Sequence, residues 1–180
     1  MQLFLMAASL RSDSVNVKLT DLCNKILFSK NKVDYANMAE FDAPLYNADI
    51  EAQSGIPKNI ANFISRIKQS QKIIISSPEY NYSIPGILKN IIDWASRARP
   101  MPWKNADILL MSASPSLVGG NRGLWHARVP LESCGAFVWP EMFSLGDAYN
   151  AFDLNGDLIN QSSLLLLENI LNNFIAHEHL

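Results

Sequence analysis

Short apolar runs without polar alternation recur along this chain, and segments with helical spacing of apolar residues separate them. The clearest runs are Gln2–Ala7, Lys72–Ser77, which contains three consecutive isoleucines, and Asp107–Ala113. Such a run is typical of a strand that is covered on both faces of its sheet. Val33–Ala36 and Ala136–Trp139 are shorter candidates of the same kind. Five strands of this type predict a largely buried parallel sheet.

Five further segments have the apolar spacing of amphipathic helices. The most regular has apolar residues at positions 84, 87, 88, 91, 92 and 95. The others run from Val15 to Leu27, from Ile60 to Ile67, from Gly120 to Cys134, where Pro130 is expected to kink or interrupt the helix, and from Ser162 to Ala176. The Asn-, Asp- and Pro-rich segment that ends at Pro57 is predicted to be a long loop. Alternating strands and helices predict a three-layer, flavodoxin-like α/β fold with a five-stranded parallel sheet in the strand order 2-1-3-4-5.

The composition is that of one globular domain, and we expect residues 1–180 to form it. The chain has a formal net charge of −2 with 18% charged residues, which argues against nucleic acid or an anionic membrane as a partner. No apolar run is long enough to span a bilayer, so we expect no membrane insertion. Two cysteines make no disulfide framework, which favours the reducing cytoplasm as the location. Cys23 and Cys134 are predicted to be buried free thiols, because each falls on the apolar stripe of a helix.

Residues that would indicate a metal centre or a hydrolase are dispersed along the chain. His126, His177 and His179 lie on a helix and a tail without the spacing of metal ligands or of a catalytic triad. Ser77 lacks the G-x-S-x-G context of a hydrolase nucleophile. The sequence therefore predicts no metal site and no nucleophilic triad.

Three loops follow strands whose carboxyl ends should meet at one edge of the predicted sheet, where this type of fold binds ligands. Residues 8–16 offer serine hydroxyls, Arg11 and Asn16 near the start of a helix, which suits a phosphate group. Residues 78–83 are rich in flat side chains, and residues 112–120 in small ones that admit a close ligand. A helix cap and ordinary tight turns explain each loop separately, but together they fit a phosphorylated planar cofactor such as FMN.

The same three loops carry a resemblance to a known family. Residues 8–16 read A-S-L-R-S-D-S-V-N and are similar to the family pattern G-S-L-R-x-x-S-x-N. Residues 78–94 match P-E-Y-N-x-S-x-P-G-x-L-K-N-x-x-D-W at every specified position. Residues 112–120 are similar to S-x-S-P-G-x-x-G-G, and Ala8 and Ser116 stand where the family has glycine. The chain thus resembles the NADPH-dependent FMN reductases, the flavodoxin-like group that includes quinone, azo-dye and chromate reductases.

The resemblance implies a bound FMN, NADPH or NADH as electron donor, and a quinone, flavin, azo compound or metal oxyanion as the small acceptor. It also implies assembly as a homodimer or homotetramer, and it requires no catalytic acid or base from the protein. The FMN phosphate is assigned to the first loop and the isoalloxazine ring to the other two. The implied cofactor-binding residues are Ser9, Arg11, Ser14, Val15 and Asn16 in the first loop, Pro78, Glu79, Tyr80, Asn81, Tyr82 and Ser83 in the second, and Ser112, Ser114 and Gly119 in the third.

Two other functional classes share the predicted fold, and one of them stays open. A flavodoxin-type electron carrier has less support, because the chain lacks a Thr/Ser-Gly-rich phosphate loop and a strongly acidic composition. A receiver-like signalling module is excluded, because the acidic residues that it needs after the first and third strands are replaced by alanine and serine. For Glu79 a solvated turn carboxylate is the simpler expectation, and Tyr80 and Tyr82 suit packing or a subunit contact as well as a place beside the substrate.

Overall fold

The computed structural model describes residues 1–178. Within them, strands and helices alternate as the sequence predicts. The strands are β1 (Gln2–Ala7), β2 (Lys32–Asn37), β3 (Lys72–Ser76), β4 (Asp107–Ala113), β5 (Phe137–Val138) and β6 (Phe143–Leu145). The α-helices are α1 (Val15–Leu27), α2 (Ala48–Ser54), α3 (Lys58–Gln69), α4 (Gly86–Ala95), α5 (Asn121–Ser133) and α6 (Gln161–Ala176), with a 3₁₀ helix at Met38–Phe41.

The sheet is parallel throughout and has the strand order β2-β1-β3-β4-β5, which confirms the predicted order. A sixth strand was not predicted. β5 pairs with the start of β4, and β6 then pairs in parallel with its end, from Met111 to Ala113. Two short strands, one after the other, therefore pair with the outer edge of β4, β5 near its start and β6 at its end.

Two apolar layers hold the sheet between the helices. In β1, Phe4 and Met6 face the layer formed with α3, α4 and α5, whereas Leu3 and Leu5 face the layer formed with α1 and α6. All four side chains are 0% exposed, and full burial of a side chain of this size contributes about 1.5–3 kcal/mol. Burial on both faces explains why the strand sequences show no polar alternation.

The segment predicted to be a long loop contains a helix. Asn47 caps α2, since its Oδ1 accepts the N–H of Asp49 at 2.8 Å. None of the α2 residues is buried, so the helix has no apolar stripe that a periodicity argument could detect. The preceding chain is fixed to α4, because the indole N–H of Trp94 donates to the carbonyl of Pro44 at 2.7 Å.

Three smaller expectations have different outcomes. Helix α5 continues through Pro130 to Ser133, so the proline does not interrupt it. Cys23 is a buried free thiol as predicted, and burial raises its pKa. Cys134 caps the end of α5 and is only partly buried, so the prediction of a buried thiol is wrong there. The reason is that the apolar stripe of α5 ends at Leu131.

No helix between residues 1 and 178 has both the length and the apolar character that crossing a membrane requires. Over the same range, His, Cys, Asp and Glu side chains form no group that could hold a metal ion. His179 lies outside the described residues.

Candidate functional site

The loops after β1, β3 and β4 meet around one cavity of about 260 Å³ at the carboxyl edge of the sheet, called here the edge cavity. Nine of the fourteen residues that the sequence assigned to the cofactor line it. They are Ser9, Arg11, Ser14, Val15 and Asn16 from the first loop, Pro78, Glu79 and Tyr80 from the second, and Ser114 from the third.

Two serines of the first loop are buried beside the start of α1. Ser14 is the N-cap of this helix, and its Oγ accepts the N–H of Asn16 at 3.2 Å. Ser9 Oγ accepts the N–H of Arg11 at 3.3 Å. Both oxygens act as acceptors in these bonds, so each hydroxyl can still donate its own proton to a ligand. The N-terminus of α1 adds a partial positive charge that favours an anion.

Asn16 holds three elements together at the bottom of the edge cavity. Its Oδ1 accepts the hydroxyl proton of Ser76 and the N–H of Ala113, each at 2.9 Å. Its Nδ2 donates to the carbonyl of Ala113 at 2.9 Å. Three of the four hydrogen-bonding positions of the amide are therefore used inside the protein. The side chain ties α1 to the ends of β3 and β4 and keeps one donor for a ligand.

Arg11 brings a fixed positive charge to the same loop. Its Nη1 donates to the hydroxyl of Tyr149 at 3.2 Å, and this bond raises the pKa of the guanidinium above its already high ordinary value. The side chain is 55% exposed, so it can move toward a ligand in the cavity.

Tyr149 lines the edge cavity but was not identified from the sequence. It lies in the turn after β6, and the carboxyl end of β6 reaches the same edge as that of β4 because the two strands are parallel. Only recognition of β6 as a strand would have placed this turn at the site.

The second loop folds as a tight hairpin turn. Tyr80 and Ser83 exchange two backbone hydrogen bonds of 2.9 and 3.0 Å, while Asn81 and Tyr82 have φ values of 52° and 62°. These values are those of a type I′ turn, which asparagine tolerates and a bulky residue such as tyrosine does not favour. Within residues 1–178 the N–H groups of Asn81 and Tyr82 donate to no protein group. The turn therefore combines strained backbone with donors available to a ligand.

Three predicted residues of the second loop lie outside the wall of the edge cavity, namely Asn81, Tyr82 and Ser83. Ser83 instead contacts α5, with its Oγ 3.1 Å from Nδ1 of His126. Tyr82 is 63% exposed and its ring lies under the guanidinium of Arg122, 4.5 Å from centroid to Cζ. Glu79 does line the cavity, and its carboxylate accepts a backbone N–H of α5, so the expectation of a solvated carboxylate is wrong.

The third loop packs a glycine turn against β6. Gly119 has a φ of 63°, and a Cβ there would lie 2.7–2.8 Å from backbone atoms of Ser144 and Leu145. Ser112 is 0% exposed, and its Oγ has no partner within the described chain. Gly119 and Ser112 do not line the edge cavity, whereas Ser114 does.

Comparison with known proteins agrees with this geometry. A family model described as NADPH-dependent FMN reductase matches residues 1–150. The quinone reductase of Escherichia coli K12 is 35% identical over 91% of this chain and 88% of its own length. The NAD(P)H-dependent FMN reductase of Pseudomonas aeruginosa is 31% identical over 90% of this chain and 86% of its own length.

A solved structure is similar over nearly the whole chain. FerB, a flavoenzyme NAD(P)H:(acceptor) oxidoreductase from Paracoccus denitrificans, superposes with a TM-score of 0.78 at 26% identity. The similarity covers 97% of this chain and 94% of FerB. From the family match, the relatives and this fold we conclude that the chain belongs to the NADPH-dependent FMN reductase family.

Proposed function

We propose that this protein holds FMN in the edge cavity and transfers hydride from NADPH or NADH, by way of the flavin, to a small acceptor of the quinone class. The observation that carries the proposal is the convergence of the three loops. They carry the family patterns at distant places in the sequence, and their residues line one cavity. The assignment of individual residues to parts of the cofactor belongs to this proposal.

The groups around the edge cavity fit the two ends of FMN. A phosphate needs donors and positive charge, and the first loop supplies the hydroxyls of Ser9 and Ser14, the guanidinium of Arg11 and the N-terminus of α1. A planar ring with polar edges needs flat neighbours and backbone donors, and the turn at residues 80–83 supplies both. Tyr80 is in the wall of the edge cavity and the rest of the turn adjoins it, so the ring would extend from the cavity along this turn. At about 260 Å³ the cavity is slightly smaller than typical ligand sites, which span about 300–1,000 Å³.

FMN, when bound, supplies hydride transfer between the nicotinamide and the acceptor. The residues of this chain bind and orient it. Arg11 and the two serines hold the phosphate. The free N–H groups of Asn81 and Tyr82 are donors that suit the negative charge that reduction places on the ring, as preorganised donors do in an oxyanion hole. None of these roles needs a side chain that transfers a proton.

The acceptor class is proposed from the relatives and the rim of the site. Two of the relatives named above reduce quinones or FMN according to their names. Two tyrosines of the cavity wall are exposed to solvent, Tyr80 at 54% and Tyr149 at 60%. Such a rim suits a flat acceptor, which can stack on the tyrosine rings.

We also propose that the protein self-associates and is located in the cytoplasm. Trp125 and Val129 expose apolar surface on α5, 56% and 68% respectively, which supports a homodimer or homotetramer. Both cysteines are free thiols, which suits the reducing cytoplasm. Light scattering coupled to size exclusion tests the assembly, and cell fractionation tests the location.

The deciding experiment is the visible spectrum of the purified protein after incubation with FMN. We expect a bound-flavin spectrum that NADPH or NADH bleaches under anaerobic conditions and that benzoquinone restores. A colourless protein that takes up no added FMN contradicts the proposal. Bound flavin that only a protein donor can reduce supports the electron-carrier alternative instead.

A further inference from the structure

We propose that Glu79 is a positioning residue of the flavin site. It caps helix α5 from a neighbouring loop and so fixes the second and third loops to each other. The inference rests on the proposed function, because its consequence is measured as FMN affinity. It concerns a role that the resemblance does not specify, since the resemblance only places Glu79 near the ring.

Helix α5 begins without a side-chain cap of its own. Its N-cap is Gly120, which has a φ of 81° and no side chain to accept the first N–H groups of the helix. The carboxylate of Glu79 fills this place, with Oε2 accepting the N–H of Gly123 at 2.8 Å. Gly123 is the third residue of α5, the position that an ordinary N-cap side chain serves. A negative charge there also interacts favourably with the helix dipole.

Two glycines bring the start of α5 close to Glu79. A Cβ on Gly123 would lie 3.2 Å from Glu79 Cβ and 3.2 Å from the carbonyl oxygen of Ser83. A Cβ on Gly120 would lie 3.4 Å from Glu79 Cβ and would collide with Ser112 Oγ. The first turn of α5 therefore packs directly on the backbone and side chain of the second loop, so closely that a Cβ on Gly123 would have to displace its neighbours by a few tenths of an ångström.

The contact joins the two loops to which the resemblance assigns the isoalloxazine ring. Residues 78–83 lie on one side of it, and residues 114–120 lead into α5 on the other. Glu79 also lines the edge cavity, so the bond that joins the loops is part of the wall. A wall that is already fixed spares the ligand the entropic cost of ordering two loops.

The test measures the dissociation constant of FMN by fluorescence quenching for four variants. We expect E79A to raise it about tenfold, the effect of losing one hydrogen bond to a charged group. E79Q keeps an oxygen acceptor for the Gly123 N–H and should stay within about threefold of the unmodified protein. G123A retains Glu79 but inserts a methyl group into the contact, and should weaken binding although alanine favours helix more than glycine does. The matched control is E178A, an exposed glutamate near the opposite edge of the sheet.

A second measurement separates this role from general stabilisation of the fold. E79Q removes a negative charge from the cavity wall, so the midpoint potential of bound FMN should rise relative to the unmodified protein, because reduction adds negative charge to the site. An unchanged potential contradicts a carboxylate at the wall.

Other results overturn the inference. If E79A binds FMN as tightly as E178A, the bond to Gly123 does not position the loops. If E79Q binds FMN as weakly as E79A, the negative charge of Glu79 determines FMN affinity and its hydrogen bond to Gly123 does not. Should E79A fail to fold, E79Q and G123A decide the question by the same criteria. If the unmodified protein itself takes up no FMN, the proposed function is wrong. If all variants bind FMN tightly, only the positioning role of Glu79 is wrong.

Discussion

Polar groups are paired differently at the two edges of the sheet, the amino edge where the strands begin and the carboxyl edge where they end. At the amino edge, Lys72 and Asp107 begin neighbouring strands and form an ion pair of 3.3 Å, with side chains 5% and 12% exposed. The Lys72 ammonium also donates to the carbonyl of His177 at 2.7 Å and lies 4.8 Å from the centroid of the Phe174 ring. At the carboxyl edge, Ser112 Oγ and the N–H groups of Asn81 and Tyr82 have no protein partner within residues 1–178.

The difference indicates that the amino edge contributes to folding stability and that the carboxyl edge is arranged to bind a ligand. The buried charges of Lys72 and Asp107 at the amino edge are paired within the protein, as stability demands. At the carboxyl edge the protein keeps donors free and holds Tyr82 in an unfavourable backbone conformation, which is common at binding sites. Substitutions at the amino edge should therefore change unfolding, and those at the carboxyl edge should change FMN affinity.

The largest expected effect comes from breaking the buried ion pair. Lys72→Ala removes the buried ammonium with its ion pair to Asp107, its hydrogen bond to the carbonyl of His177 and its contact with the Phe174 ring. It should lower the free energy of unfolding by about 3–5 kcal/mol. The FMN dissociation constant of the folded fraction should not change. Urea unfolding with and without FMN measures both quantities. Lys25→Ala is the control, since it breaks the more exposed pair with Asp157 and should cost less than about 1 kcal/mol. Equal losses in the two variants would remove the distinction between the edges.

Asn16→Ala should affect both stability and FMN affinity, because Asn16 lies at the carboxyl edge but hydrogen-bonds to other residues of the protein. The change leaves the Ala113 backbone groups and the Ser76 hydroxyl without their partner. We expect a loss of about 2–4 kcal/mol in the free energy of unfolding together with weaker FMN binding. Asn172→Ala on the exposed face of α6 is the matched control. Weaker binding without a loss of stability would show that the amide serves the ligand alone.

Arg11→Ala should change binding only. Arg11 is exposed and its partner Tyr149 is exposed as well, so the free energy of unfolding should stay within about 0.5 kcal/mol. The FMN dissociation constant should rise about 10- to 100-fold, as expected for loss of a charged phosphate contact, and more than in E79A. Arg99→Ala removes another exposed guanidinium as a control. Similar FMN affinity in the two variants would refute the phosphate assignment of the first loop.

The smallest effect tests the strained turn. Tyr82→Gly places glycine at a φ of 62° and should raise the free energy of unfolding by up to about 1 kcal/mol. Tyr80→Gly is the matched control, because Tyr80 is also exposed but has no positive φ; it should lower stability by about 0.5–1 kcal/mol. Thermal unfolding of the two variants under identical conditions compares them. A loss of stability in Tyr82→Gly would mean that the conformation is not strained.

The sequence was sufficient for elements that bury long, regular faces. β1, β4 and α1 have the predicted bounds, because an unbroken apolar run defines each strand and an apolar stripe of more than three turns defines the helix. It was insufficient for α2, which buries no side chain, and for β6, which has three residues. Such elements form because contacts with the rest of the fold position them, and a local sequence pattern does not predict those contacts.

The same limit applies to the site. Topology alone predicts that the loops after β1, β3 and β4 meet, and the structure brings them together around the edge cavity. Tyr149 depends on β6 and was missed for that reason. The roles of Asn16 and Glu79 depend on contacts with Ala113 and Gly123, 97 and 44 residues away, which spacing within one motif cannot reveal.

The burial of Cys23 has a consequence for a protein proposed to handle quinones. Quinones are electrophiles that form covalent adducts with thiolates, and a thiol reacts only to the extent that it ionises and is accessible. Cys23 is 0% exposed, and burial raises its pKa. The folded chain therefore offers no nucleophilic sulfur at this position to its own substrates, and alkylation of Cys23 would report unfolding.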